Sequence, residues 1–457
     1  MEKTKQIHIN GICICKLTVY SLMPLSEYEI IDVEAGLTEI IDEYIQEHAT
    51  DFAKKDWIEV FVEGLYKYIT DLFDSCGIWE DPDDEELRLE KHEDLQDYIR
   101  KYFLETCQLF EIPMRENGHY HTDDTTTLTR DNYREILKTI HNYPVQTQRT
   151  MEWYMARQEL FSASNLWKLF STPAQYNSLI YEKCKPLDIG KMRDGGDILM
   201  PNARNWGIKY EPVTVMIYED KFKTRVNTHY GCIPHRTLPV GASPDGIVCD
   251  ESSEKYGRMV EIKNIYNREI DGIPSEEYWT QMQVQMEVCN LPLCDFVETR
   301  FKEYNTQTEY LEDQTHEYKG LILCFIPRNP VTHHTELEYS PLGLDAYDES
   351  IWIQTQQELC VDTHLLYTTQ YWYLDEFSCT EVERNMVWFQ SVIPHIQSSW
   401  ETVKKEREEG YSHRAPQSRD KTTTVIPNPA NPVPSTMGHP MHIQVVKLDS
   451  DQSSNAP

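Results

Sequence analysis

The sequence predicts an α/β or α+β core preceded by an acidic helical segment. Three observations carry this reading. Residues 1–145 place apolar side chains every three and four positions, most clearly over 37–73, as amphipathic helices packed on one side do. From about Arg225, short strand-like runs alternate with turn signals, among them VGASPDGIVCD (240–250) and RMVEIKNI (258–265). A helix over 278–290 and a short apolar strand over 321–326 follow, and strands interleaved with helices in this order build a core of that class.

Taken in order, the acidic run Glu80–Glu86 breaks the first helical pattern and reads as a solvated loop and helix start. At Gln148 the character changes. Residues 148–161 read as a helix, and Ser162-Ala163-Ser164-Asn165 supplies a turn and a capping residue for a second one over 166–170. A loop rich in Gly and Asp, Arg193–Asp197, precedes a helix that begins near Trp206 and runs through Asp220. Strands are expected near 225–232 and in the two runs quoted above. Residues 385–410 form a helical segment with an interruption expected near Pro394. From about Ser412 the chain holds Pro, Ser, Thr and Asn without periodicity, the composition of a disordered tail. The boundaries are therefore an acidic, mostly helical accessory domain (1–147), a core domain (148–410) and a disordered tail (411–457).

Composition narrows the classes. At 457 residues the chain exceeds one ordinary core. No apolar run reaches the ~18 residues of a membrane span, and the N-terminus lacks the pattern of a secretory signal, so an intracellular protein that does not enter the membrane is expected. The twelve cysteines show no Cys-x-x-Cys spacing, which argues for reduced thiols over structural zinc or a disulfide framework. His229 and His235 flank Cys232, but no second ligand pair has suitable spacing, and they read as strand residues. Gly195-Gly196 is not followed by Gly-Lys-Ser/Thr, so no P-loop is implied. The aromatics at 371–373 and Trp388 read as packing residues. The net charge of −33 argues against nucleic acid until it is divided along the chain. Residues 1–147 hold about −18 and residues 148–304 only about −3, so a phosphate-binding groove in the middle segment is not excluded.

The chemistry lies in that middle segment. In a strand, residues two apart share a face, so Glu261 and Lys263 point together while Ile262 points into the core. If the runs on either side of 249–258 form a hairpin, Asp245 lies beside Glu261. Two carboxylates a few ångströms apart repel unless a cation lies between them, and Mg²⁺ suits such a site. Lys263 adds a positive charge able to orient or deprotonate a water. Arg157 is a bidentate phosphate donor, and Ser164 stands at an expected helix start, where free N–H groups attract anions.

The surrounding residues add to this. In chain order they are Gln148 and Arg149, Trp153, Arg157, Ser162-Ala163-Ser164, Gly207-x-x-Tyr210-Glu211, Ser243-Pro244-Asp245-Gly246, Glu261-x-Lys263 and Tyr278-x-x-Gln281-x-Gln283. Together they resemble the YqaJ-like viral recombinase family, whose relatives include the phage lambda exonuclease, within the PD-(D/E)XK nuclease superfamily. The resemblance covers about residues 148–305. It implies a restriction-endonuclease-like core with a mixed central sheet flanked by helices. Asp245 and Glu261 would be metal-binding carboxylates, with the Ile262 carbonyl a further ligand and Glu211 the third carboxylate. Lys263 would be the catalytic lysine, with Gln281 and Gln283 lining the site. Arg157 and Ser164 would form the pocket for a DNA 5′-phosphate. The activity implied is an Mg²⁺- or Mn²⁺-dependent deoxyribonuclease working 5′-to-3′ from duplex DNA ends and leaving 3′ single strands for viral-type recombination. A single-strand annealing protein and further copies of the chain are implied partners, and host cytoplasm or nucleus the implied compartment. Two departures stand out: Asn264 and Ile265 follow Lys263 where the family often has Cys-Pro, and the Asp-to-Glu hairpin is long. An endonuclease or nickase on the same fold, and a catalytically silent acidic interaction protein, are the competing expectations.

Overall fold

The computed structural model describes residues 8–9, 12–13, 27–76, 85–113, 128–144, 150–187, 202–329 and 335–415. Most of the acidic loop 80–86, the motif residues Gln148 and Arg149, the loop 193–197 and the tail from 416 onward lie outside them.

Among the described residues the N-terminal segment is mostly helical, as its periodicity leads one to expect. After a two-residue ribbon, β1 (His8–Ile9) with β2 (Ile12–Cys13), come α1 (Glu27–His48), α2 (Trp57–Cys76), α3 (Glu85–Leu109) and α4 (Arg130–His141). Leu37, Ile41, Ile45, Phe61, Leu65, Ile99 and Phe103 meet on their inner faces, and this apolar cluster runs without a break into that of the strand-bearing region. The seam is specific. Tyr133 of α4 packs so closely on Gly257 that a Cβ there would lie 2.2 Å from its ring, and Gly257 holds φ +82°, a left-handed value that favours glycine. Beside it, Arg134 grips Glu251 through Nε (3.1 Å) and Nη2 (2.9 Å).

The core holds a seven-stranded sheet. Its strands are β4 (Val226–Asn227), β7 (Gly246–Val248), β8 (Met259–Asn264), β9 (Leu293–Glu303), β10 (Lys319–Pro327), β11 (Glu336–Tyr339) and β12 (His364–Glu383). Their spatial order is β11-β10-β12-β9-β8-β7-β4, with β8 and β9 parallel and the other neighbours antiparallel. The sheet is therefore mixed, as a PD-(D/E)XK core implies. A smaller sheet joins β3 (Phe161–Ser162), β6 (Val240–Ala242) and β5 (Ile233–Pro234). Remaining helices are α5 (Met151–Gln158), α6 (Ala163–Leu166), α7 (Pro173–Cys184), α8 (Ala203–Phe222), α9 (Glu276–Cys289), α10 (Gln307–Glu312), α11 (Ala346–Cys360) and α12 (Met386–Glu409).

Both sheet faces are covered. Tyr218 of α8 packs with Val260 and Ile262 of β8 on one face, while Met282 and Met286 of α9 join Met259 and Phe296 on the other. The parallel pair needs a crossover, and α9 is it. Two expectations change. Ser162 occupies the N-cap of α6 but makes no capping bond; its Oγ lies 3.3 Å from Ser164 Oγ instead. Pro394 interrupts nothing: α12 runs through it. Trp388, Phe389 and Val392 before the proline, and Ile396, Trp400 and Val403 after it, are all buried, and together they outweigh the ~3 kcal/mol an interior proline costs.

Candidate active site

The hairpin joining β7 to β8 sets the first part of the geometry. Gly246 pairs with Val260 and Ile247 with Met259, so Asp245 stands across from the strand residues that follow Val260. Its Oδ2 accepts a hydrogen bond from the Ile262 N–H at 2.8 Å. Glu261 is 0% exposed and points to the α9 face. Three donors hold it: Lys263 Nζ and Gln281 Nε2 (2.6 Å) at Oε1, and Gln285 Nε2 (2.8 Å) at Oε2. Lys263 also lies over the Tyr278 ring at 4.8 Å, and Arg268, paired with the buried Glu298, reaches the same ring at 5.6 Å.

Charge is unevenly compensated here. Burial pushes the Asp245 carboxyl well above the usual carboxylate range, and Glu261 and Glu211 push it further, with Lys263 and the Ile262 N–H offsetting only part. Burial alone would lower the Lys263 ammonium, but Glu261 and Asp245 outweigh it and hold the group above its ordinary value.

The glutamines divide by helical face. Residues four apart share a face of a helix and residues two apart do not. Gln281 and Gln285 therefore converge on Glu261, whereas Gln283 turns away. Its Nε2 donates to the Glu383 carbonyl at 2.9 Å, and its Oε1 accepts the Asn385 N–H at 2.6 Å. The structure thus does not bring Gln283 to the site, and Gln285, which sequence reasoning missed, takes the position. The signal was present: Gln285 is the i+4 neighbour of Gln281 on a predicted helix.

Glu211 is also placed differently from a tight third ligand. It sits on α8, which packs on the face opposite the one Glu261 occupies, and it acts electrostatically on Asp245 and on Tyr339. Among the described residues, no three His, Cys, Asp or Glu side chains gather as a metal-holding group. The donor set still suits a hard cation, since Mg²⁺ keeps several waters and needs only one or two carboxylates. Asp245 and Glu261 are the two carboxylates that the resemblance expects in that role. Asn264, the departure after Lys263, has a structural role: its Nδ2 donates to the Gly207 carbonyl at 2.9 Å and its Oδ1 accepts from Thr214 (2.6 Å) and Thr299 (2.7 Å), tying α8 to the strand.

A second cluster lies at α5 and α6. Arg157 Nη2 donates to Ser164 Oγ at 3.3 Å, and Ser162 Oγ lies 3.3 Å from Ser164 Oγ. The guanidinium stacks over Trp153 at 4.4 Å. Burial lowers its pKa, and among the described residues no carboxylate forms an ion pair with it. Ser162 pairs with Gly241, four residues before Asp245, so one short segment of chain links the two clusters. His229, Cys232 and His235 form no metal group either; His235 Nδ1 instead receives the Thr237 and Leu238 N–H groups at 3.2 and 3.0 Å.

Residues 152–292 match the model of the YqaJ-like viral recombinase domain. An uncharacterised protein, R354, of Acanthamoeba polyphaga mimivirus is 24% identical over 305 residues, covering 58% of this chain and 54% of the relative. The chain therefore spans about half the length of that curated relative. Two crystal structures of the alkaline exonuclease LHK-Exo from Laribacter hongkongensis, one in complex with dAMP, are 19% and 20% identical, each with a TM-score of 0.33 over 57% of this chain and 95% of theirs. The segment that supplies Arg157, Ser164, Asp245, Glu261 and Lys263 thus lies within the stretch that is similar to a YqaJ-like viral recombinase domain.

Proposed function

We propose that the protein is a metal-dependent DNA exonuclease that hydrolyses phosphodiesters from duplex ends, 5′-to-3′, leaving 3′ single strands for recombination. The observation that carries this reading is the pairing of β7 with β8, which sets Asp245 beside the Glu261–Lys263 strand, one short stretch of chain from a guanidinium with no carboxylate in ion-pair contact among the described residues. Asp245, Glu261 and the Ile262 carbonyl would hold the divalent ion, with Glu211 supporting from α8. When bound, Mg²⁺ or Mn²⁺ supplies charge neutralisation at the phosphate under attack. Lys263 orients the attacking water and, with its ammonium above the usual range, contributes as a cation at neutral pH rather than as a free base. Gln281 and Gln285 fix the Glu261 rotamer. Arg157 and Ser164 bind the terminal 5′-phosphate, which selects ends over internal sites. The acidic helical segment serves as an accessory module, and a single-strand annealing protein is the partner such a product calls for.

The test is a time course on 5′- and 3′-labelled linear duplex and on covalently closed circles, with and without Mg²⁺. Release from 5′ ends that needs the ion, spares circles and is abolished in folded Lys263→Ala and Asp245→Ala is the expected result. Cleavage of circles would turn the reading to an endonuclease. Full activity in either variant would remove that residue from the machinery.

A further inference from the structure

α5 ends one residue after Arg157, so its last carbonyls have no donor within the helix. Two of them are taken by cations from other helices. Lys183 of α7, only 3% exposed, donates from Nζ to the Arg157 carbonyl at 2.8 Å. Arg407 of α12 donates from Nη2 to the Gln158 carbonyl at 2.8 Å. The end of α7 is closed by the same groups. Arg407 reaches the Lys183 carbonyl through Nε (3.1 Å) and Nη2 (3.0 Å), and Gln158 Nε2 donates to the carbonyls of Lys183 (2.8 Å) and Lys185 (3.0 Å). Glu159 fixes the remaining arm of Arg407, accepting from Nη1 at 2.9 and 3.1 Å. Two helix C-termini, each a focus of partial negative charge, are thus joined by one guanidinium and one ammonium.

The turn held in this way is the one that carries Arg157. Its guanidinium is aimed by its own backbone, by the Trp153 ring beneath it and by Ser164 beside it. Only the backbone support comes from outside α5 and α6, and its main element, Arg407, lies far beyond residue 292, where the domain match ends. A shift of that turn by a fraction of an ångström moves the far end of a long side chain by more.

We propose that Arg407, together with Lys183 and Gln158, is a positioning residue for recognition of a terminal 5′-phosphate, locking the last turn of α5 so that Arg157 presents its guanidinium beside Ser164. This rests on the reading of Arg157 and Ser164 as the end-phosphate pocket. It extends the functional unit to α12.

The experiment uses the full chain and linear duplexes that differ only in carrying a 5′-phosphate or a 5′-hydroxyl. The readout is the KM of the 5′-hydroxyl duplex divided by that of the 5′-phosphate duplex, with thermal melting to follow folding. Arg157→Ala tests the pocket itself and should collapse the ratio. Arg407→Ala should lower it about tenfold, as loss of a supporting contact behind a ligand does, with kcat little changed. Arg407→Lys, which offers one ammonium in place of a fork, should restore part of it. If Arg407→Ala does not fold, Arg407→Lys and the exposed-site variant Glu159→Gln decide, each expected to lower the ratio by about two- to threefold. A wild-type ratio in the folded Arg407 and Glu159 variants, beside a collapsed ratio in Arg157→Ala, overturns the inference and leaves the pocket intact. A wild-type ratio in Arg157→Ala overturns both.

Discussion

Replacing Gln285 by Met tests how the site holds its central carboxylate. Glu261 is buried, and the Gln285 amide is the donor that Oε2 receives, at 2.8 Å. Methionine keeps the volume and removes the donor. A hydrogen bond to a charged group contributes roughly 1.5–3 kcal/mol, and the Gln285 Oε1 is itself buried with no partner among the described residues, so its removal returns a little. The net expectation is a loss of about 1–2 kcal/mol in stability. Activity should fall more than stability, by about 10- to 100-fold in kcat/KM, because a free Oε2 lets the carboxylate rotate away from Asp245. Gln283→Met is the matched control. It removes bonds to the Glu383 carbonyl and the Asn385 N–H, which hold the start of α12, so it should lower the melting temperature while kcat stays within about twofold. Duplex hydrolysis and urea unfolding of both variants give the answer. A Gln285→Met enzyme with wild-type kcat/KM, or a Gln283→Met enzyme as impaired as its neighbour, would refute the division of α9 into a site face and a structural face.

Two further predictions concern pH. Burial pushes the Asp295 carboxyl up, but Arg258 and Lys255, at 2.6 Å each, outweigh it and hold it below the usual range. The unfolded chain therefore takes up that proton first as pH falls, so the stabilisation is present at neutral pH and is lost in acid. Asp295→Asn should flatten the acid limb of a stability-versus-pH curve and cost about 3–5 kcal/mol at pH 7, since Arg258 and Lys255 lose their buried partner. An unchanged acid limb would show that the carboxylate is not the linked group. Lys183 gives a slope of the same sign in the alkaline range, but from a penalty relieved rather than a stabilisation gained. Burial lowers its ammonium from 10.5 to about 8, against the pull of Glu182 and with Arg157 and Arg407 adding to the depression. Between those values the unfolded chain holds more protons, so this group makes stability rise with pH, by up to about 3 kcal/mol. Buried Cys107 and Cys289, pushed up to about 12, work the other way at high pH, so the measurement is the wild-type curve minus that of Lys183→Met. A flat difference from pH 7.5 to 10.5 would refute it.

The site residues that could be read from the sequence are those fixed by the short repeat of a strand. With a period of two, Glu261 and Lys263 must share a face, and the turn signals on either side of 249–258 are enough to bring Asp245 alongside. Helical placement was harder. The spacing put Glu211 on α8 and the glutamines on α9 correctly, but the face each helix turns to the sheet depends on packing, and that decided Gln285 over Gln283 and set α8 behind the strand. The 20-residue strand β12 was not read at all. Its first half pairs with β10 and its second with β9, on opposite edges, so it is half-buried along most of its length and shows no clean alternation. The break expected at Pro394 failed because local propensity is a weak prior against a buried stripe on both sides.

The charge problem posed by the composition has a structural answer in how the acidic segment attaches. Its contacts with the core use its few cations: Lys55 pairs with Asp271, Arg134 grips Glu251, and Arg130 donates to the Ser253 carbonyl at 3.4 Å. Each lands on an acid or a carbonyl of the core, next to the hairpin and the loop that precedes α9. Attachment in this sense neutralises acids of the core, Asp271 and Glu251. Arg157 then stands as a half-buried guanidinium with no carboxylate in ion-pair contact among the described residues, and in a medium where an uncompensated charge is costly such a group favours an anion from outside. An overall charge of −33 and an anion-seeking site are therefore compatible, because the relevant field is set by the groups within about a Debye length, roughly 8–10 Å, and not by the sum over the chain. End recognition should accordingly weaken with salt less steeply than a long phosphate-tracking interface would, since one buried contact releases few counterions.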